Sequence, residues 1–402
     1  MPGRIPRGPM VVTIAVATVV LAGVMLGGPG AHARPYVPAS DDVVVERLAR
    51  ASRDPRAQEL SALRRALAEA PDDPQLAAQL ARQEIDEARR RSDPRHLGYA
   101  QAALQRWWLT PTPPIEVLIL RATIRQSRHE FESARSDLDQ AVERAPDDPQ
   151  AWLTRSVVLA VLGRYAEARA SCLPLPRLTT PLIAQVCSAA IDGITGKAVP
   201  ATAALTAAIA ANPDDGGRAW ALSVLGDLDV VRGDLAAAEG HLRGSLDLEV
   251  EDAYTRAALA DLLLEERRYR EVKELCAGRE QNDGLLLRLA LAESGAKASG
   301  AAEHAQELAA RFEASRLRGD ALHKREEARF ELVLRHDPER ALELASANWR
   351  VQHEAADARI LLEAAVAAGR GGAAEPAVRW LAETQHEDRR LTALLLMARE
   401  RQ

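Results

Sequence analysis

The sequence contains few of the residues that build one large core or a reactive centre. Aromatic residues make up 3% of the 402 residues, and only 3 residues are Cys. No segment alternates apolar and polar residues with the period of two that half-buried strands require. The histidines lack the His-x-His and His-Glu-x-x-His spacings of metal sites. We therefore predict no sheet, no metal site, no cofactor and no catalytic residues.

Lysine is also rare, since 4 of the 52 basic residues are Lys, and acidic residues outnumber basic ones to give a formal net charge of -6. The arginines lie among acidic residues, as they do on solvated helix faces, and they form no basic patch. An acidic protein is poorly suited to bind phosphate backbones. We expect no nucleic-acid partner.

The N-terminus has the pattern of a secretory signal. Arg4 and Arg7 precede an uncharged apolar run over residues 10–26, and a Gly/Pro break leads to the triplet at residues 31–33. These are the three regions of a removable signal peptide. We predict a signal over residues 1–33 with cleavage after Ala33, a flexible lead-in over residues 34–41, and a periplasmic or secreted protein. The alternative is an uncleaved N-terminal anchor, which alone would bring the chain into contact with a membrane.

The strongest internal pattern is a repeat of 34 residues. Leu118, Ala122, Phe131 and Ala134 are followed 34 positions later by residues of the same size class. A period of this length indicates a tandem helical hairpin in which small residues allow two helices to approach. The later residues are Trp152, Ser156, Tyr165 and Ala168.

Three regions of different regularity follow the lead-in. Residues 115–286 form a core array of five copies in nearly constant phase. Residues 42–114 contain degenerate helical hairpins, and residues 287–402 contain further degenerate hairpins and a capping helix. Terminal repeats are expected to be atypical because one face must be polar. We predict at least eight helical hairpins in total.

These residues resemble the tetratricopeptide repeat superfamily, in its exported bacterial form. The resemblance implies an all-α, right-handed α-solenoid of helix-turn-helix repeats whose first helices line a concave groove for a protein or peptide segment. It also implies which positions of each repeat face that groove. The groove has no Asn for a carboxylate clamp, so an apolar or basic ligand segment fits best. The predicted groove residues are Leu153, Val157, Val161, Ile183, Val186, Trp220, Asp227, Tyr254 and Asp261.

Two of these residues are the strongest candidates for ligand contacts. Trp220 and Tyr254 occupy the same position of adjacent repeats, and large aromatic side chains dominate many interfaces. For Val157, Val161 and Val186 the alternative is packing between layers of helices. The groove assignment is therefore a hypothesis for each residue separately.

The cysteines predict one disulfide. Cys172 lies near the end of a second helix, and Cys187 lies in the next first helix, so the two helices are antiparallel neighbours. An exported chain meets an oxidising environment in which paired thiols persist. We predict a Cys172–Cys187 bridge, with two small packing residues as the alternative, and we expect Cys276 to be a buried thiol.

The sequence as a whole predicts an exported protein-interaction scaffold that is not an enzyme. One alternative is a cell-wall glycan hydrolase, because Glu293 and Ser294 faintly resemble the catalytic stretch of lytic transglycosylases, in which a Glu is the general acid. The resemblance does not extend downstream. The competing interpretation treats Glu293 as a solvated helix residue and residues 294–300 as a hairpin turn.

Overall fold

The computed structural model describes Ser40 and residues 54–91, 93–319 and 324–400. The predicted signal peptide, most of the lead-in and the first part of the N-terminal region lie outside these residues. Within them, no helix has the length and apolar character needed to cross a membrane.

Regular structure in the described part of the chain is entirely helical, which confirms the all-α prediction. The helices are α1 (Pro55–Glu69), α2 (Pro74–Arg91), α3 (Arg95–Ala103), α4 (Gln105–Trp108), α5 (Ile115–Ser127), α6 (Phe131–Arg144), α7 (Pro149–Val161), α8 (Tyr165–Cys172), α9 (Pro181–Ile194), α10 (Ala198–Ala211), α11 (Arg218–Arg232), α12 (Leu235–Leu248), α13 (Ala253–Glu265), α14 (Tyr269–Cys276), α15 (Asp283–Gly295), α16 (Ala301–Leu317), α17 (Lys324–Val333), α18 (Pro338–Trp349), α19 (Ala355–Ala367), α20 (Glu375–Thr384) and α21 (Arg389–Glu400).

Consecutive helices pack as hairpins, and each hairpin packs on the next. The pairs are α2 with α3, α5 with α6, α7 with α8, α9 with α10, α11 with α12, α13 with α14, α15 with α16, α17 with α18, and α19 with α20 and α21. This satisfies the predicted minimum of eight. We call the odd-numbered helix of each pair from α5 onward its first helix.

A residue in the left-handed conformation ends the first helix of each hairpin from α5 to α20. At Gly163, for example, the backbone N of Arg164 donates to Leu159 O, and this bond satisfies a terminal carbonyl of α7. Half of these positions hold residues other than glycine, which is why the glycine signal in the sequence is irregular. The eight residues, with φ between 54° and 79°, are His129, Gly163, Gly196, Gly233, Arg267, Lys297, His336 and Gly369.

The small residues of the repeat lie where the two helices of a hairpin touch. Ala122 and Ala134 are both fully buried between α5 and α6. At Gly226 in α11, a Cβ atom would lie 2.7 Å from Leu242 Cδ2 of α12. Each pair therefore approaches closely, as the repeat pattern predicts.

The apolar cores divide by position along the array. One core runs from α12 to α17 and includes Phe312 and Phe330. A second core joins α17 to α21 around Trp349 and Trp380, and Tyr165 from α8 packs against it. The C-terminal hairpins therefore touch a hairpin far from them in sequence as well as their own neighbours.

Candidate functional site

The predicted groove residues of α7 lie at the surface or just below it. Val157 is 40% exposed, and Leu153 and Val161 are partly buried. Leu153 packs on the core around Leu159, whereas Val161 packs on the core around Phe131, against which Val351 of the C-terminal region also packs. Val157 is thus the most accessible of the three to a ligand.

The two predicted residues of α9 differ from each other. Ile183 is partly buried, and its side chain covers Gly217, where a Cβ atom would clash with it. Val186 is fully buried in the core that α9 shares with α10 and α11. The groove assignment of Val186 is therefore wrong, because α9 contacts helices on more sides than the repeat position implies.

Tyr254 and Asp227 form a hydrogen-bonded pair between α13 and α11. The Tyr254 hydroxyl donates to Asp227 Oδ2 at 2.8 Å, and the Tyr254 side chain is 63% exposed. Trp220, in contrast, is partly buried against the core of α9 to α11. Tyr254 is therefore the accessible aromatic residue of the predicted pair, and Trp220 contributes to packing.

Asp227 is a carboxylic acid in an unfavourable electrostatic environment. Burial raises its pKa to about 7, the nearby Glu354 and Asp252 raise it as well, and the Tyr254 hydroxyl opposes the shift. The side chain is partly accessible to water although protein surrounds most of it. A cationic group placed beside Asp227 would stabilise its charged form.

Asp261, the other predicted groove carboxylate, already has cationic partners. Its two oxygen atoms each lie 2.5 Å from an arginine, Arg288 of α15 and Arg329 of α17. These arginines hold the pKa of Asp261 well below its usual range against the effect of burial. A basic ligand would therefore stabilise Asp261 less than its position in the repeat suggests, because arginines of this chain already neutralise it.

The same pattern continues along the first helices. Glu265 accepts from Arg390 Nη1 at 2.9 Å and also pairs with Arg359 of α19. Arg325 of α17 pairs with Glu354 at 2.7 Å. We call the surface formed by the first helices α11, α13, α15, α17 and α19 the inner face. It is charged, and its carboxylates are largely matched by arginines of this chain.

Sequence reasoning missed these arginines. Arg329 follows Asp261 by 68 positions, which is twice the repeat length, so the two occupy equivalent positions two hairpins apart. A search for opposite charges at multiples of 34 residues would have found this pair. Arg288 and Arg359 follow no such multiple and left no signal.

Residues of the C-terminal hairpins meet the turns of two central hairpins along a surface that we call the seam. His353 N donates to Val161 O at 2.8 Å, and the Tyr165 hydroxyl donates to His353 O at 2.9 Å. Trp380 Nε1 donates to the Tyr165 hydroxyl at 2.5 Å. Burial raises the pKa of Tyr165 to about 12, so it stays protonated and keeps its donor.

The seam continues to the turn between α9 and α10. Ala198 N at the start of α10 donates to the Glu387 carboxylate at 3.0 Å. At Gly196 a Cβ atom would lie 2.8 Å from Gln385 O, so the backbones approach closely. A cleft of about 550 Å³ opens along the seam, and Tyr165, Trp349 and Trp380 are in its wall.

Cys172 and Cys187 are joined by a disulfide, with 5.8 Å between their Cα atoms. The bridge links α8 to α9, as the sequence predicts. Cys276 is buried and unpaired, and burial raises the pKa of its thiol to about 11, which makes it unreactive.

Glu293 is a buried residue rather than the solvated one that we expected. It is 6% exposed, and its Oε2 lies 2.7 Å from His304 Nδ1 across the turn between α15 and α16. Two other hairpins contain the same kind of pair. They are Glu84 with His96 at 2.6 Å and Asp229 with His241 at 2.7 Å.

This recurrence gives Glu293 a structural role at a hairpin turn. The sequence signal for it is a carboxylate followed by His 11 or 12 positions later. None of these pairs belongs to a group of three or more metal-ligating side chains within the described residues.

No protein-family model and no curated protein matches this chain. Among solved structures, it is similar to a tetratricopeptide repeat protein from Parabacteroides merdae, with 12% identity and a TM-score of 0.36 over 71% of this chain and 98% of that one. It is also similar to IFIT1, in a monomeric mutant with Gppp-AAAA, with 13% identity and a TM-score of 0.41 over 86% and 74%. A third is the APC/C hetero-tetramer Cut9-Hcn1, with 13% identity and a TM-score of 0.30 over 85% and 86%.

Proposed function

We propose that this protein is an exported, non-enzymatic scaffold that binds an extended or helical segment of a partner protein on its inner face. A helical-hairpin array offers a long surface built from successive first helices and needs no reaction centre. The observation that carries the proposal is the Tyr254–Asp227 pair, in which an exposed aromatic ring lies beside a poorly neutralised carboxylate.

The pair suggests the chemistry of the partner. A lysine or arginine side chain placed over the Tyr254 ring would gain a cation–π contact and would neutralise Asp227. Neighbouring carboxylates already hold arginines of this chain, so Asp227 is the acceptor with the most to gain. Val157 on α7 would add an apolar contact for another part of the segment.

Site-specific photo-crosslinking tests this proposal directly. A photoreactive phenylalanine analogue replaces Tyr254 in the full-length chain, which is expressed in its own cells and irradiated. We expect one specific adduct with a partner protein. The matched control carries the analogue at Arg270, whose side chain is 92% exposed on the second helix α14.

Equal adduct yields at the two positions would contradict binding on the inner face. Asp227→Asn should reduce the yield at position 254, because it removes the charge that attracts a basic side chain. Trp220→Ala serves as the packing control, since it should lower the melting temperature without changing the yield per folded molecule.

Export is a separate part of the proposal. We propose that the signal over residues 1–33 is removed and that the mature protein is periplasmic or secreted. N-terminal sequencing of the purified protein should begin at Arg34. A chain that begins at residue 1 and fractionates with membranes would favour the uncleaved anchor instead.

A further inference from the structure

The seam joins parts of the chain that are far apart in sequence. Tyr165 and His353 are 188 positions apart, and Tyr165 and Trp380 are 215 positions apart. The hairpins from α17 to α21 are therefore attached to α15 and α16 through the array, to α13 through the ion pairs of Asp261 and Glu265, and to α7 to α10 through the seam. The α13 ion pairs are partly exposed and each contributes little to stability, so they hold the C-terminal hairpins only weakly.

The polar groups of the seam are incompletely satisfied. His353 Nδ1 and His386 Nε2 are both buried, and neither has a hydrogen-bond partner among the described residues. Burial lowers the pKa of both imidazoles, so they are neutral near pH 7. Unpaired buried polar atoms are rare in stable interfaces because each one reduces stability. Together with the open cleft, they make the seam a weakly stabilised contact.

The seam also covers part of the predicted binding surface. Val351 and Val161 pack against the same apolar core around Phe131, and His353 N donates to the Val161 carbonyl. A partner segment that reached this end of α7 would have to replace these contacts.

The segment that covers this end of α7, residues 351–353, is fixed to the C-terminal hairpins and cannot dissociate from α7 without them. Gln352 Nε2 and Asn348 Nδ2 donate to the same Asp357 oxygen at 2.9 and 2.8 Å. Glu354 is paired with Arg325 of α17. Displacement of the segment therefore requires the hairpins from α17 to α21 to move with it.

We propose that these C-terminal hairpins are a releasable clasp, which shuts against the turns of α7–α8 and α9–α10 and opens as a unit to admit a partner segment. The closed clasp is an autoinhibitory contact at the C-terminal end of α7. Its role in binding rests on the proposed function, but its opening is a property of the free chain and is measured without a partner.

The structure offers a site for a disulfide that locks the clasp. A Cβ atom at position 163 would lie 3.6 Å from His353 Cβ, which is within the range for a disulfide. Gly163 has a positive φ, but His129, Arg267 and Lys297 take the same conformation at the equivalent turns of other hairpins. Gly163→Cys with His353→Cys is therefore compatible with the turn, in a Cys276→Ser background that leaves the native Cys172–Cys187 bridge.

Native-state hydrogen exchange on the partner-free protein tests whether the clasp opens. In the wild-type chain we expect amides of the seam, such as those of His353 and Ala198, to exchange at least about tenfold faster than buried amides of α9 and α11. In the oxidised double-cysteine variant this difference should disappear. The reduced variant and Gly163→Cys alone are the controls and should retain it.

Two outcomes would overturn the clasp. One is exchange of the seam amides only at the rate of the buried helices in the wild-type chain. The other is unchanged seam exchange in the oxidised variant after peptide mapping has verified the 163–353 bridge. If the clasp opens but photo-crosslinking at position 254 fails, the proposed function is wrong and the conformational change stands.

Discussion

The central hairpins from α5 to α14 and the C-terminal hairpins from α17 to α21 have the same local architecture but are held in different ways. Each central hairpin packs on the next one along the chain, with small residues such as Ala122 between its helices. The C-terminal hairpins also reach back to Tyr165 and Ala198 through contacts that skip many hairpins. A regular 34-residue pattern is needed only where each neighbour is another repeat, which explains why the motif degenerates in the C-terminal region.

The first helices show the same difference. Val157 on α7 is an exposed apolar residue, whereas the inner face carries ion pairs such as Asp261 with Arg329. Partly exposed ion pairs each contribute little to stability, about 0 to 1 kcal/mol. Their value lies in fixing which first helices face one another, since Glu265 of α13 pairs with arginines 94 and 125 positions away.

Removal of Trp380 should separate the two regions most strongly. Trp380 is 6% exposed, packs edge-to-face on Trp349 at 5.9 Å between ring centroids, and donates to Tyr165. We expect Trp380→Ala to cost about 3 to 5 kcal/mol and to release the C-terminal hairpins before the central ones unfold. Hydrogen exchange should accelerate at the turn between α9 and α10.

The matched control is Leu118→Ala in α5, where a fully buried side chain packs within the central array in a core that contains no seam residue. It should have a similar cost without this effect on the seam. If both variants unfold in the same single transition with the same exchange pattern, the two regions are not held differently.

Loss of the disulfide should act on the central region alone. The bridge closes a loop with a sequence separation of 15, so Cys172→Ser with Cys187→Ser should cost about 3 kcal/mol in the chain-entropy model. Denaturant unfolding of the variant measures this loss, and wild-type protein under reducing conditions should match it. An unchanged midpoint in the variant, or separately alkylated thiols in the unreduced wild-type protein, would show that the bridge does not stabilise the native chain.

Two glycine substitutions, one in the seam and one outside it, test the seam with a smaller change in stability. Gly196→Ala and Gly369→Ala both place a Cβ atom on a residue with positive φ. Only at Gly196 does that atom meet another backbone, at 2.8 Å from Gln385 O, because nothing lies within 4 Å of it at Gly369. We expect Gly196→Ala to cost about 1 to 2 kcal/mol more than Gly369→Ala. Equal losses in thermal unfolding would mean that the close contact is absent in solution.

The smallest effect should come from Asp227, and it should depend on pH. Burial raises the pKa of Asp227 to about 7, so the folded chain binds this proton more tightly than the unfolded chain does. The resulting stability is present at low pH and is lost as the pH rises through 7. Asp227→Asn should therefore stabilise the protein by on the order of 1 kcal/mol at pH 8 and by less at pH 5. A larger gain at pH 5 in melting experiments would have the wrong sign for this account.

Much of the central array could be predicted from the sequence. The 34-residue period located α5 to α14 because local packing and capping, as at Asp148 and Ala151, depend on residues close together in the chain. Val186 was assigned to the groove although it is buried, because a position in the repeat indicates the direction of a side chain but not how many helices pack around it. The seam left no signal, since a contact such as Ala198 with Glu387 spans 189 positions and occurs once.

The most direct test is a distance across the seam, measured by pulsed double electron–electron resonance on the free protein. Spin-labelled cysteines replace Lys197 and Glu383, two exposed residues from the two sides of the seam, in the Cys276→Ser background. We predict a narrow short distance in the otherwise wild-type chain and a shift to longer distances on addition of Trp380→Ala, with helicity by circular dichroism retained. The same narrow distance in both folded proteins would contradict a C-terminal region held by a separable seam.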